Sequence, residues 1–484
     1  MSLAGGILIA LCGTFVLNQS YLWACLITVG LAVAVLSLTA KDFKNYWLAV
    51  FVLVLPLEIK KMLVDSAYVL SFVESYGFPV GELPGPVVYL SDLPFMVLLA
   101  LWIFEMLTKK EKLFLPKSNW IAVAFITWSG LSLTKADDMA SALFDLLRLI
   151  KLYVLYLYVA NNVRSKETIG TLMKFLLLGV ILQGLLCLYQ YFAQDLGHIV
   201  SGLFGERKLH TEEFLRNMDP SFNISGEGQI RRASGTVGPT NSQAQFFEFL
   251  LPVALLLWLT VKRSRTYLFY FASFFLGLSG LIVTFSRGGF VGITFGIVVS
   301  IVLAGRFGII SNKKLLVFLI LGLGLSVLIS PIVYKFIMTR PKSATVRLHL
   351  AKVGLEMTRT HPILGVGLNN HLVVKQQYDT WSYVFSLPAH NQYIIIASEV
   401  GIPGFLLFLG FLAVTCKLAL LSARCDDVYI ASLAVGIFGG LVAIGAHIML
   451  DILGTHTVMT LLWLYAGLAA ALHKWYPTPS MEDV

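Results

Sequence analysis

The residues best suited to chemistry are one histidine and four arginines. His390 stands in "PAHNQYIIIASEVGIPG", residues 388–404, where a polar stretch gives way to an apolar one. An unperturbed imidazole has a pKa of ~6.5, so it can take a proton from a hydroxyl near neutral pH. Asn391 beside it is placed to cap the following helix or to orient a substrate. Arg231 and Arg232 precede the apolar stretch that begins at 242, Arg287 lies in "TFSRGGF", and Arg347 lies in "SATVRLHLAKVGLEM". A planar guanidinium grips phosphate in a bidentate way, and two or three of them suit a pyrophosphate. The plainer reading stays open: arginines at a membrane edge also snorkel to ordinary lipid phosphates, and a lone histidine is more often structural. Arg287 argues against that reading, because a two-glycine turn is a costly place for a mere anchor.

Other titratable groups point elsewhere. Asp145, Arg148 and Lys151 recur at i, i+3 and i+6 in an apolar stretch, as an internal ion pair would. Glu248 reads as a packed, protonated or hydrogen-bonded carboxyl. His447, Asp451 and His456 have metal-ligand spacing, but no further ligand completes a set, and no metal is expected. His361 and His371 lie in the outer segment, where "THPILG" reads as a turn element rather than a site. Gly-rich phosphate loops, nucleotide-binding strand patterns and serine-nucleophile signatures are absent from the sequence, so no cofactor is expected.

The elements that must position these residues are membrane helices. Of 484 residues, 57% are hydrophobic and 13% charged, with a mean hydropathy of +0.80. A soluble domain is nearer ~25% charged. Apolar runs recur along the chain, most of them long enough for the ~17–25 residues of a spanning helix. Lipid offers no partner to an open sheet edge, so the spans are helical. The expected fold is an all-α polytopic bundle of twelve to fourteen spans, near 3–17, 20–39, 46–58, 92–108, 119–134, 143–161, 169–192, 242–260, 267–285, 289–305, 315–333, 402–421, 428–448 and 455–471.

Short basic loops such as "KKEKLFLPKS" and "VKRSRT" mark the cytoplasmic side. Both termini are therefore expected in the cytoplasm. Three long segments, 59–91, 193–241 and 334–401, are expected on the outer side of the membrane. The organisation is thus N-terminal helices over 1–192, an outer loop over 193–241, central helices over 242–333, an outer segment over 334–401, and C-terminal helices with a tail over 402–484. Within 334–401, Val346, Leu350, Val353 and Met357 recur at i, i+4, i+7 and i+11, the apolar face of a helix lying on the membrane surface. All five cysteines fall in spans or a cytoplasmic loop, which leaves no disulfide for the outer segments. The net charge of +9 partly reflects cytoplasmic anchors on anionic lipid, and no nucleic-acid module is visible.

"HNQYIIIASEVGIPG" fits a histidine followed by Asn, Ser or Gln, then nine residues, then Gly-x-x-Gly, with His390, Asn391, Gly401 and Gly404 in register. With "RASGTVGPTNSQAQFFEFLLP", "TFSRGGFVG" and "VRLHLAKVGLEMTRTHPILGVG", this resembles the bacterial O-antigen ligases and their relatives in the O-antigen ligase and polymerase superfamily. The resemblance covers about 232–404. It implies a metal-independent membrane glycosyltransferase that moves a glycan from undecaprenyl diphosphate to an acceptor hydroxyl. It also implies that His390 is catalytic and that Arg232, Arg287 and Arg347 bind phosphate, with Arg231 able to replace Arg232. Thr240-Asn241 departs from the family's Pro-Asn, a change expected to shift a turn and little more.

The expected acceptor is lipid A–core, which makes the protein a ligase of lipopolysaccharide biosynthesis. A second lipid-linked glycan would make it an O-antigen or exopolysaccharide polymerase. A flippase for lipid-linked sugars would need symmetric halves and charges along a central path, and no internal repeat is apparent.

Overall fold

A computed structural model describes residues 21–63, 85–193, 222–223, 229–230, 232–261, 264–317, 320, 341–381 and 387–477. Arg231, the span expected at 3–17 and nearly all of that at 315–333 lie outside the described residues.

The chain is an all-α bundle. In order come α1 (Tyr21–Ser37), α2 (Phe43–Val54), α3 (Asp92–Lys109), α4 (Asn119–Ser132), α5 (Met139–Asn162) and α6 (Lys166–Phe192). After them come α7 (Thr240–Thr260), α8 (Arg265–Val283), α9 (Arg287–Arg306), α10 (Pro341–Thr360), the short α11 (His371–Lys375), α12 (Gln392–Ser422), α13 (Val428–His447) and α14 (His456–Trp475). Two short antiparallel pairs are the described strands: β1 (Lys60–Met62) with β2 (Val87–Tyr89), and β3 (Phe222–Asn223) with β4 (Gln229–Ile230). Among the described residues, seven helices, α6 to α9 and α12 to α14, are long and apolar enough to cross a membrane. The protein is a multi-pass membrane protein.

Local sequence sets where the helices begin. Asp42, Asp138, Ser165, Ser286, Asn391 and Asp427 each accept a first-turn backbone N–H through the side chain, satisfying amides that a helix start leaves orphaned. The core lies around α7 and α14, which are buried along most of their length. Against α7 runs α13, whose Gly436, Gly439 and Gly440 meet Val253, Pro252 and the Phe249 carbonyl. In turn α9 crosses α13 where Gly296 faces the Gly439 carbonyl. Small residues at these crossings let the backbones close up.

Two expectations are corrected. The span expected at 402–421 starts earlier: its helix begins at Gln392 and is broken inside, where Gly401 has φ 71° and ψ 178°. The break leaves carbonyls without helical partners, and the 362–367 loop reaches in to supply them. Val366 N donates to Ser398 O at 2.9 Å and Gly367 N to Glu399 O at 3.0 Å, while Ile402 N donates to Pro362 O at 2.8 Å. "HPILGVG" and the first glycine of "GIPG" are thus two halves of one device. Moreover, α10 is a full twenty residues, and its apolar face packs on protein: Val353 and Met357 against Val366 and Val374, and Gly354 against Ile394 of α12.

Candidate active site

His390 sits two residues before α12, with its side chain 23% exposed and Nδ1 3.7 Å from Asp451 Oδ1. Its neighbours are fixed from three directions. Asn391 Oδ1 accepts from Ile394 N, which is the capping half of the sequence expectation. Gln392 N donates to both Ile448 O and Asp451 O, and Gln392 Oε1 accepts from Leu453 N. Ala389 N donates to His371 Nε2 at 3.4 Å, while His371 Nδ1 meets Ser398 Oγ at 2.7 Å. The 388–392 segment is therefore splinted to the 448–453 turn on one side and to α11 on the other.

Burial holds His390 below the usual imidazole pKa; Asp451 opposes the shift and Arg347 adds to it. Burial, reinforced by Lys375, drives His371 down to about 3. It is therefore neutral, with Nδ1 protonated toward Ser398 and Nε2 left to accept from Ala389.

The arginines converge unevenly. Arg232 donates from Nε to Thr284 O and from Nη2 to Asn241 Oδ1, both at 2.8 Å. Asn241 Nδ2 then donates to Asp451 Oδ2. Arg347 Nη1 donates to Leu450 O at 3.0 Å, one residue before Asp451. One chain of contacts thus links Arg232, Asn241, Asp451 and His390, with Arg347 on the same turn. Arg287 opens α9 three residues after Thr284, beyond a left-handed Phe285 (φ 49°), and Ser286 caps the first turn.

Several residues have roles other than those expected. Asn241 bridges Arg232 and Asp451. His371 opens α11, is buried, and pins the backbone before His390. Its signal was available, since a histidine in an apolar run that includes "HLVV" must find buried partners. His447, Asp451 and His456 do not share a centre. His447 Nδ1 meets Glu248 at 2.9 Å, which also makes Glu248 a hydrogen-bonded carboxyl. His456 meets Ser91 and stacks on Tyr89. Arg148 pairs with Asp145, but Lys151 turns to Asp92 at 2.9 Å.

Residues 272–409 match the family model for O-antigen ligase. Over those residues the chain is similar to the O-antigen ligases. No curated protein matches the chain. The match includes Arg287, Arg347, His390 and the "GIPG" break, whereas Arg232, Asn241 and Asp451 approach from outside it. That likeness points to a membrane glycan transferase of the ligase and polymerase type.

Proposed function

We propose that the protein is an O-antigen ligase of the bacterial inner membrane, with the His390 end of the bundle facing the periplasm and both termini in the cytoplasm. It transfers a glycan from undecaprenyl diphosphate to a hydroxyl of lipid A–core. The observation that carries the reading is the chain of contacts from Arg232 through Asn241 and Asp451 to His390, with Arg347 beside it.

In this mechanism Asp451 faces Nδ1 of His390 and leaves Nε2 to accept the acceptor's hydroxyl proton. The hydroxyl oxygen attacks the anomeric carbon as the bond to the diphosphate breaks, and the diphosphate leaves with the electron pair. Arg232, Arg287 and Arg347 stabilise that charge, an effect worth ~10²–10³ in rate for one preorganised donor. A positioned base contributes ~10²–10⁴. Direct displacement inverts the anomeric centre.

The test is glycan transfer by purified protein, wild type against His390→Ala, with undecaprenyl-diphosphate glycan and lipid A–core. Loss of transfer in a variant that folds and binds donor is expected. Retention of anomeric configuration in the product would refute direct displacement. Lengthening of the lipid-linked glycan with the core left unmodified would identify a polymerase, the second use to which the same motifs can be put.

A further inference from the structure

A cavity of about 140 Å³ lies inside the bundle beside His390. Pro388 and Gln392, two residues to either side of His390, both line it. Its polar lining is Asp145 and Arg148 from α5, Glu399 from α12, Asn369 just before α11 and His371 at its start. Most of the rest is aromatic and aliphatic, with Trp463 of α14 and Phe125 of α4 among it. Asp145, Glu399 and Trp463 lie six or seven residues into their helices, which puts the cavity about 9–11 Å below the helix starts.

The charged groups there are held in place. Arg148 pairs with Asp145, and the Glu399 carboxylate accepts from His371 N at 3.3 Å. Burying three such groups is expensive unless they serve a ligand or one another. No lining residue comes from α7, α9 or α10, the elements that carry Asn241, Arg287 and Arg347. The cavity is therefore lined by a different set of elements from those that carry Arg287 and Arg347.

We propose that this cavity seats the terminal sugar of the acceptor, a neutral pyranose. Its hydroxyls meet Asp145, Arg148, Glu399 and Asn369, and its less polar face meets Trp463. Carboxylate, guanidinium and amide groups match paired sugar hydroxyls, and the volume suits about one ring rather than a chain. The guanidinium in the lining is already paired with Asp145 and His371 is neutral, so an acidic sugar meets no unengaged cation among the lining residues. A lipid chain would leave the charged lining unsatisfied. For the word acceptor the inference rests on the transferase reading; for the sugar it rests on the cavity.

Saturation-transfer NMR on the detergent-solubilised full chain tests the seat, with a neutral methyl hexopyranoside and a methyl uronide as probes. Wild type is expected to bind the hexoside and not the uronide. Glu399→Gln and Met459→Trp, the second filling the cavity without touching a charge, are each expected to weaken the hexoside at least tenfold. Each should also raise the KM for acceptor more than that for donor. Should Glu399→Gln fail to fold, Met459→Trp carries the test alone. Hexoside binding that survives Met459→Trp overturns the seat, as does equal binding of the uronide. Hexoside binding by a wild type that transfers no glycan overturns the transferase reading and leaves the sugar seat standing.

Discussion

His390 Nδ1 and Asp451 Oδ1 lie 3.7 Å apart, beyond a hydrogen bond and within ion-pair range. Asp451 is already engaged: Oδ2 accepts from Asn241, and Oδ1 accepts from Ile452 N at 2.9 Å. The carboxylate is thus fixed while the imidazole keeps room to close on it when the site is occupied, as catalytic hydrogen bonds often do.

The first prediction concerns that pair and pH. Burial lowers the His390 pKa, Asp451 raises it, and Arg347 lowers it. A base active when neutral should keep its activity to a pH below the ordinary imidazole value of ~6.5. Removing the negative charge with Asp451→Asn weakens the base, so kcat should fall about 10²-fold and the acidic limb should move to lower pH. Arg347→Ala removes a positive charge and should move the same limb to higher pH. The profile of kcat against pH for the three proteins decides it; a limb that stays put in both variants would show that His390 is not the titrating base.

His371 gives a second prediction, on stability. Its pKa in the folded chain is about 3, below the ~6.5 of an unfolded histidine. The unfolded state therefore takes up the proton first as pH falls. The stabilisation is complete above ~6.5 and is lost progressively from there toward the folded-state value. His371→Gln should cost about 1–3 kcal/mol at neutral pH, because Ser398 and Ala389 lose a well-placed partner. It should also flatten the fall of Tm between neutral and acidic pH. Equal slopes for wild type and variant would contradict the buried neutral ring.

Much of this was legible in the sequence. Apolar runs of spanning length gave most helices, because lipid permits a single satisfied backbone conformation to an isolated segment. His390, Asn391, Gly401 and Gly404 stood out by spacing. What escaped was long-range pairing. Asp451 is about 60 residues from His390, and its spacing to His447 and His456 does not show that a helix end turns the three apart. Likewise 392–400 falls in the expected outer segment rather than in a span, because a sequence does not show that a distant loop will fill the break in a longer helix.

That break supports a third prediction. Gly401 holds φ 71° and ψ 178°, a region open to glycine almost alone. An added Cβ would run into Ile363 O and lie 2.9 Å from Pro362 O, both backbone atoms. Gly401→Ala should destabilise by roughly 3 kcal/mol or more, combining backbone strain of ~1–3 kcal/mol with the clash. Gly404→Ala meets Val400 and Trp128 side chains instead, at 2.5 and 2.9 Å, and these can move. Thermal melts of the two variants should rank Gly401→Ala as much the worse; the reverse order would mean that the 362–367 loop does not fill the break.

The last prediction separates geometry from charge at Arg232. Its Nε and Nη2 reach two acceptors at once, Thr284 O and Asn241 Oδ1, which ties the start of α7 to the turn that leads into Arg287. A lysine keeps the positive charge but presents one ammonium, without a rigid fork, and cannot hold both acceptors in the same geometry. Arg232→Lys should therefore behave more like Arg232→Ala than like wild type, with kcat/KM for the donor down by about 10²-fold. Asn241→Ala should lose part of the same effect, because it removes the link from Arg232 to Asp451. The double variant should fall short of the product of the two singles, as residues in one hydrogen-bonded chain do. Strictly multiplicative losses would mean that Arg232 and Asn241 act independently, and wild-type kinetics in Arg232→Lys would mean that charge alone is what the site requires.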